Sequence, residues 1–409
     1  MQVTYHRAIR ALAVLVAVAC AAPAAAQSVK LAGREVQVHG SFQQAWVVTD
    51  GNNFLTMNSR EGSGEFTDAA FNASTQVNKR LRVGAQAYSR NIGQLGNGQF
   101  QFDWAYADYR VHRAFGVRGG KMKTALGLFN DTQDMEFLHT WALLPQAVYP
   151  LDLRAVTIAH VGVDFYGTVG LKKAGSFQYT TYYGQVPDDE KGGYRYGVED
   201  NGTLFTKGIS STAFGGDVRW TAPVEGLTVG YSLYQMAATT QVVISQLSPS
   251  VPLRGQKIDV DIPRWRRRAA FGEYQHGRVH ASAEWRRETS QQQYAFVSLP
   301  LPLQPLNRQQ RGYFVSAAYR LNDKVEVGSY YSSYVADTLL DASLDNNHIT
   351  GRAVTGRFDI TSFWNVKVEG HFMDGYGNLT YARGFYRRSN TTGLSPETKM
   401  LVVRTGINF

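Results

Sequence analysis

Cysteine is almost absent from this chain of 409 residues; Cys20 is the only one. It falls in a leading stretch that reads as a removable export signal. The working chain would then have no disulfide framework and no thiolate chemistry. Long apolar runs are missing too. Beyond the leader, no segment approaches the ~18 consecutive apolar residues of a membrane-crossing helix. Proline is scarce, 12 residues against 40 glycines, so extended strands are seldom interrupted. Mean hydropathy is only −0.29, and the chain lacks the 3.6-period segments or continuous apolar strands that a large soluble core requires. What it has in quantity is aromatic: 23 Tyr, 21 Phe and 7 Trp.

Residues 1–26 are expected to be the signal. His6, Arg7 and Arg10 make a basic start, Ala11 to Ala19 is an unbroken apolar run, and Ala24-Ala25-Ala26 offers a cleavage site before Gln27. A lipoprotein reading would use Cys20, with Ala17 standing where Leu is normally wanted. Residues 27–409 would form one domain.

Its last twelve residues alternate strictly. Lys399, Leu401, Val403, Thr405, Ile407 and Phe409 fall on one face, and Thr398, Met400, Val402, Arg404, Gly406 and Asn408 on the other. Period two is the mark of a half-buried strand. Phe409 is the final residue, and the stretch resembles the closing strand of bacterial outer-membrane β-barrels. The alternative is an edge strand of a soluble sandwich. Only helices and closed barrels can span a bilayer, because unpaired backbone groups in hydrocarbon cost several kcal/mol each. With spanning helices excluded, an exported, alternating, aromatic-rich chain fits a barrel.

The same period recurs along the sequence. Val36, Val38, Gly40, Phe42, Gln44, Trp46 and Val48 alternate with Gln37, His39, Ser41, Gln43, Ala45 and Val47. Leu81, Val83, Ala85 and Ala87 are expected to face out, and Arg80, Arg82, Gln86, Tyr88 and Arg90 in. Later strands carry Trp364, Val366, Val368 and Phe372 outward and Lys367, Glu369 and His371 inward. A charge facing lipid at mid-depth costs roughly 2–4 kcal/mol, so the charged side of each strand should face the lumen. Tight turns are predicted at Asn78-Lys79, His112-Arg113, Lys173-Ala174-Gly175, Pro223 to Gly226, His276-Gly277, Asn322-Asp323 and Thr361-Ser362. Longer loops are expected over 49–64, 91–100, 124–157, 185–208, 239–262, 289–309, 337–347 and 376–393. Seven turns and eight loops make an all-β, transmembrane antiparallel barrel of about sixteen strands; one misread hairpin would make it fourteen or eighteen.

Between Gly120-Lys121 and a strand ending at Tyr166 lie Leu126-Gly127-Leu128-Phe129-Asn130-Asp131 and Leu144-Pro145-Gln146. With the C-terminal strand, this run (about 103–167) resembles proteobacterial outer-membrane porin-like proteins of about this length. The resemblance implies a Gram-negative outer-membrane location, a long third extracellular loop folded into the lumen, and a homotrimer. Asp131, Asp134 and Glu136 on that loop would then oppose wall arginines Arg80, Arg82, Arg110, Arg219, Arg286 and Arg320 across a constriction, selecting small polar or anionic solutes. Alternatively these acids cap turns or pair with neighbours. Strict alternation points Lys121 and Lys123 outward, unless a bulge at Gly119-Gly120 turns them in.

The formal charge is +9, but the basic residues are scattered and export separates the chain from nucleic acid. Outer-membrane lipid, lipopolysaccharide phosphate and anions in the pore are the expected partners. Arg264-Trp265-Arg266-Arg267-Arg268 would line the pore mouth, meet such phosphates, or form a solvated rim. A catalytic barrel is disfavoured: there is no His-x-Ser-Asn-Gly, and His160 with Asp164, or Asp359 with His371, are the only acid–base pairs on offer. The acids at 130–134 lack the glycine and distal glutamate of a calcium loop. A TonB-dependent receptor would not fit the length. The expected function is passive diffusion of small hydrophilic solutes with an anion preference, needing no cofactor. The alternative is a specific channel for sugars or aromatic acids lined by Tyr88, Trp104 and Tyr106, with a barrel enzyme or adhesin behind it.

Overall fold

The computed structural model describes residues 27–31, 33–245, 253–379 and 383–409. The expected signal, residues 1–26 with Cys20, lies outside them. Sixteen long antiparallel strands form the wall: β1 (Arg34–Asp50), β2 (Ser63–Gln76), β3 (Leu81–Ile92), β4 (Gln101–His112), β5 (Phe115–Lys123), β6 (Ala159–Gly170), β7 (Ser176–Gln185) and β8 (Ser210–Thr221) make the first half. The second half is β9 (Leu227–Ile244), β10 (Lys257–His276), β11 (Val279–Phe296), β12 (Leu306–Asn322), β13 (Val325–Val335), β14 (His348–Asp359), β15 (Trp364–Asp374) and β16 (Glu397–Asn408). Each pairs with its neighbours in sequence, and β16 pairs with β1 from Lys399↔Asp50 to Asn408↔Ser41. The sheet is therefore a closed barrel without an open edge. A short strand, Gln27–Leu31, folds back on the start of β1.

Closure at the last residue is specific. The Phe409 and Gly40 backbones exchange two hydrogen bonds of 3.0 Å, and the Phe409 ring lies where a Cβ on residue 40 would sit, 2.3 Å away. Only glycine admits the ring there.

All seven predicted turns join consecutive strands. Two long loops are shorter than expected, because β9 to β12 rise above the others. Strand β9 runs on to Ile244 and β10 begins at Lys257; β11 reaches Phe296 and β12 begins at Leu306. The β10 ladder skips between Asp261 and Arg264, so Pro263, which has no N–H to give, sits at the interruption and pairing resumes beyond it.

The outward faces carry Trp46, Phe71, Val161, Phe165, Val218, Val229, Val315, Val354, Val368 and Phe372, all exposed. A wall of exposed apolar side chains around a closed barrel needs lipid against it. Among the described residues no helix is long and apolar enough to cross a membrane, so crossing falls to the strands. The buried apolar residues are inside the barrel, around the third loop.

Candidate functional site: the third loop and its polar septum

The third loop, residues 124–158, enters and leaves through a tied neck. Thr124 N–H donates to the Ile158 carbonyl at 2.9 Å, and Asn130 Nδ2 donates to the carbonyls of Thr124 and Thr157 at 2.8 Å each. Gly127 has φ +68°, and a Cβ there would meet Glu284 Oε1 at 2.5 Å. The backbone can therefore press against the wall: Gly127 N–H reaches Ser232 Oγ at 2.9 Å and Leu128 N–H reaches Glu284 Oε2 at 2.8 Å. Leu128, Phe129, Val148 and Tyr149 then pack on Phe271 and Phe314 of β10 and β12. Trp141 meets Tyr330 edge-on at 5.2 Å. Pro145 accepts from the N–H groups of Val148 and Tyr149, so Leu144-Pro145-Gln146 is the turn that sends the chain back.

Backbone groups of a loop inside a barrel need partners, and here the wall's charges supply them. Lys367 donates to the carbonyls of Glu136, His139 and Trp141 at 2.8, 2.5 and 3.1 Å. Arg357 donates to Phe137 and His139, Arg404 to Ala142, and Arg286 to Val148. Glu369 accepts from the N–H groups of Ala142 and Leu143 at 3.0 Å each.

This changes the role of three predicted residues. Glu136 is buried and paired with Lys367, Asp134 is buried and paired with Lys123, and Arg286 is buried beside Glu288. They hold the loop to the wall and do not face each other across an open gap. Arg80 is also misplaced by alternation: it stands in the β2–β3 turn, exposed. Arg110 lies exposed near the short-turn rim, beside Tyr166. Arg82, Arg219, Arg320 and Asp131 do line open recesses on the short-turn side of the loop. Arg219 pairs with Asp217, and Arg320 with Glu326 and Asp359. Trp104 and Tyr106 line the lumen, and the Tyr88 ring lies under the Arg154 guanidinium at 4.4 Å.

The β4–β5 ladder runs without a bulge from Tyr109↔Val117 to Ala105↔Lys121, so Gly119-Gly120 does not reverse the facing. Lys121 keeps the outward register opposite Ala105, but its ammonium donates to the Phe102 carbonyl at 2.5 Å and the residue lines the recess that holds Asp103 and Arg154. Lys123 still pairs with Ala159 of β6 but lies past the last β4 partner, and its ammonium reaches inward to the Asp131 carbonyl and the Asp134 carboxylate.

There it joins the feature that divides the barrel. Arg154 grips Asp103 with two hydrogen bonds of 3.1 and 2.8 Å and lies 3.8 Å from Asp134. Lys123 pairs with Asp134 and lies 4.0 Å from Asp103, and Gln86 donates to Asp134 at 2.5 Å. Asp103 and Arg154 line a recess open towards the long loops; Lys123, Asp134 and Gln86 line recesses open towards the short turns. Five side chains thus form a polar septum between an outer and an inner chamber. Burial pushes Asp134 up, but Lys123 and Arg154 outweigh it and hold the carboxyl below its ordinary value. Burial likewise opposes the charge on Arg154, yet Asp103 and its neighbours raise it.

His160 donates or accepts between Thr124 Oγ1 at 3.0 Å and Asp164 at 2.8 Å. All three are buried, so the set secures the loop's neck. Asp359 and His371 are not brought together: Asp359 sits opposite Asn365 and His371 opposite Ala353. Among the described residues no group of three or more His, Cys, Asp or Glu is placed to hold a metal ion.

No family model matches the chain, and no curated protein matches it. Solved structures do. OmpT, an outer membrane protein of Vibrio cholerae, superposes with a TM-score of 0.56 at 13% identity, covering 94% of this chain and 100% of OmpT. The anion-selective porin from Comamonas acidovorans gives 0.52 at 13%, covering 92% and 100%. OmpF of Salmonella typhi, solved with daunomycin, gives 0.52 at 12%, covering 94% and 100%. The fold is that of the outer-membrane porins. At these identities the likeness speaks for the sixteen-strand barrel and leaves the solute open.

The sequence reading missed Lys123, Arg154, Lys367 and Glu369 as functional groups. The signal for the last two was their place on an inward face, opposite a loop whose backbone needed donors and acceptors.

Proposed function

We propose that this chain is a passive channel of the Gram-negative outer membrane for small hydrophilic solutes, crossed at the polar septum of Lys123, Asp134, Asp103 and Arg154. The observation that carries this reading is the set of recesses on both sides of one side-chain cluster, Asp103 and Arg154 lining the outer one and Lys123, Asp134 and Gln86 the inner ones. Side chains can rearrange without unfolding the loop. The inner chamber sets Arg82, Arg118, Lys123, Arg219, Arg278, Arg320 and Arg357 against Asp131, Asp134, Asp164, Asp217, Glu273 and Glu326, an excess of one basic group that supports no more than a weak anion preference. No step in this transport needs a cofactor or a nucleophile.

Outer-leaflet lipid and lipopolysaccharide are proposed partners on the outside. Arg268, Arg287 and Arg311 stand side by side on β10, β11 and β12, exposed, one level beyond Trp285 and Tyr313. Like charges directly opposite repel, and a phosphate beside an aromatic girdle would relieve them. A homotrimer is proposed because OmpT has also been solved in a trimer form.

The test is single-channel conductance of the refolded protein in a planar bilayer under a KCl gradient, for the natural chain and for Arg154→Ala. Discrete steps that grow in Arg154→Ala are expected. Steps of unchanged size would put the path elsewhere, and no steps in either protein would overturn the channel reading.

A further inference from the structure

The outer vestibule holds a second charged cluster that the septum does not use. Glu288 on β11 faces three guanidiniums: Arg267 at 3.1 Å, Arg286 at 3.4 Å and Arg383 at 3.9 Å. Its other oxygen accepts from Trp265 Nε1 at 3.2 Å. One carboxylate against three buried cations leaves positive charge uncompensated, which is costly away from water. The other two carboxylates lining the cavity beside this cluster are committed elsewhere, Asp188 to Arg195 and Asp189 to Arg90. Glu284 is turned to Leu128 N–H and Tyr149.

Donors are left over as well as charge. Arg267 and Arg383 are 8% and 5% exposed, and among the described residues Arg267 Nε, Arg383 Nε and Arg383 Nη1 have no hydrogen-bond partner. Buried polar groups are rarely left so. Arg383 is also fixed in direction, its guanidinium stacked 3.8 Å from the Tyr334 ring centre.

Both arginines open onto one cavity whose exposed surface is mostly apolar, with Val156, Ile209, Met236, Ala238, Ile262 and Trp265 in its wall beside a polar part that includes Asp188, Asp189, Ser290 and Gln310. Its volume is about 100 Å³, of the order of the ~150 Å³ apolar cavity that admits a benzene ring. Buried cations at one end and an apolar wall at the other suit neither a bare inorganic anion nor a sugar. They suit a molecule with an anionic head and a single-ring hydrocarbon body.

We infer that this vestibular cavity is a binding site for small aromatic or alicyclic monocarboxylates, the head paired with Arg267 and Arg383 and the ring against Met236 and Ile262. The site gives the proposed channel a substrate class, and it rests on that reading only for the onward step; binding stands without it. A bound carboxylate would supply the second anion that three guanidiniums lack. It would sit on the outer side, before the septum.

The experiment is isothermal titration of the detergent-folded protein with benzoate, with the neutral isostere benzamide as comparison. Saturable benzoate binding, at least tenfold tighter than benzamide, is expected. Arg383→Gln should weaken benzoate at least tenfold while leaving β-sheet content and heat-modifiable migration intact. If that variant fails to fold, Ser290→Asp, which adds a carboxylate at the half-buried lining of the same cavity, reads the same question and should also abolish binding. Equal affinity for benzoate and benzamide, or benzoate binding unchanged in the folded variant, overturns the site. A protein that binds benzoate and passes no current overturns the channel alone; one that conducts and binds no benzoate overturns the site alone.

Discussion

Glu136 of the third loop and Lys367 of β15 form an ion pair that is almost wholly buried inside the barrel. Lys367 also takes three loop carbonyls. One side chain therefore holds a turn of the loop that has little regular structure of its own. Burial raises Glu136, but Lys367 and Arg404 outweigh it and keep the carboxyl low.

Removing one partner of such a pair strands the other. Lys367→Met should cost about 3–5 kcal/mol and detach the middle of the loop. Glu136→Gln in the same chain should recover part of that loss, though not the three carbonyls. Urea denaturation of the folded barrel, followed by β-sheet signal and gel migration, measures the cycle. Strict additivity of the two changes would mean that the pair is not coupled.

The loop's approach to the wall makes a different demand at Gly127. Its φ of +68° is unfavourable for other residues, and a Cβ would lie 2.5 Å from the Glu284 carboxylate. Gly127→Val should cost at least about 2 kcal/mol and release Leu128 and Phe129 from Phe271 and Phe314. The expected readout is noisier single-channel current with unchanged β-sheet content. Quiet, unaltered steps would show that the contact does not hold the loop.

Barrel, turns and facing were legible in the sequence because they follow from local rules: period two, glycine- and asparagine-rich turns, and charge kept from lipid. Trp364, Val368 and Lys367 all face as the alternation required. The site was legible only in part. Asp131 and Arg219 reach the lumen, whereas Asp134, Glu136 and Arg286 are consumed by pairing. Pairing depends on where an irregular loop lies against strands more than 200 residues away, as in Glu136 with Lys367, and no period in the chain encodes that. Lys123 shows the same limit locally, since its ammonium turns inward to Asp134 and the Asp131 carbonyl of the loop, partners that alternation does not encode.

Selectivity should follow the lumenal charges that remain open to solvent. Arg82, exposed in the inner chamber with Ser74 Oγ as its 2.8 Å contact, is the clearest case. Arg82→Glu exchanges a positive for a negative wall charge and should move the reversal potential towards potassium. Asp131→Asn should move it towards chloride. Shifts in the opposite sense, or none in either variant, would mean that ions do not pass through this chamber.

Acidification should loosen the loop, and His139 sets the first window. Burial lowers its pKa from 6.5 to about 4, against the opposing hydrogen bond to the Thr132 carbonyl; Lys367 adds to the lowering and Glu136 opposes it. The folded barrel thus binds the proton less readily than the unfolded chain, so stability is lost as pH falls from about 6.5 towards 4. At ~1.4 kcal/mol per pH unit the full loss is roughly 3 kcal/mol. Asp134 and Glu136 are held low, and their contribution goes only below the ordinary carboxylate range. Open-channel noise should therefore rise between pH 6.5 and 4.5 in the natural chain. His139→Gln, which keeps a donor for Thr132 and cannot titrate, should stay quiet over that interval. Equal pH dependence in both proteins would assign the effect to another group.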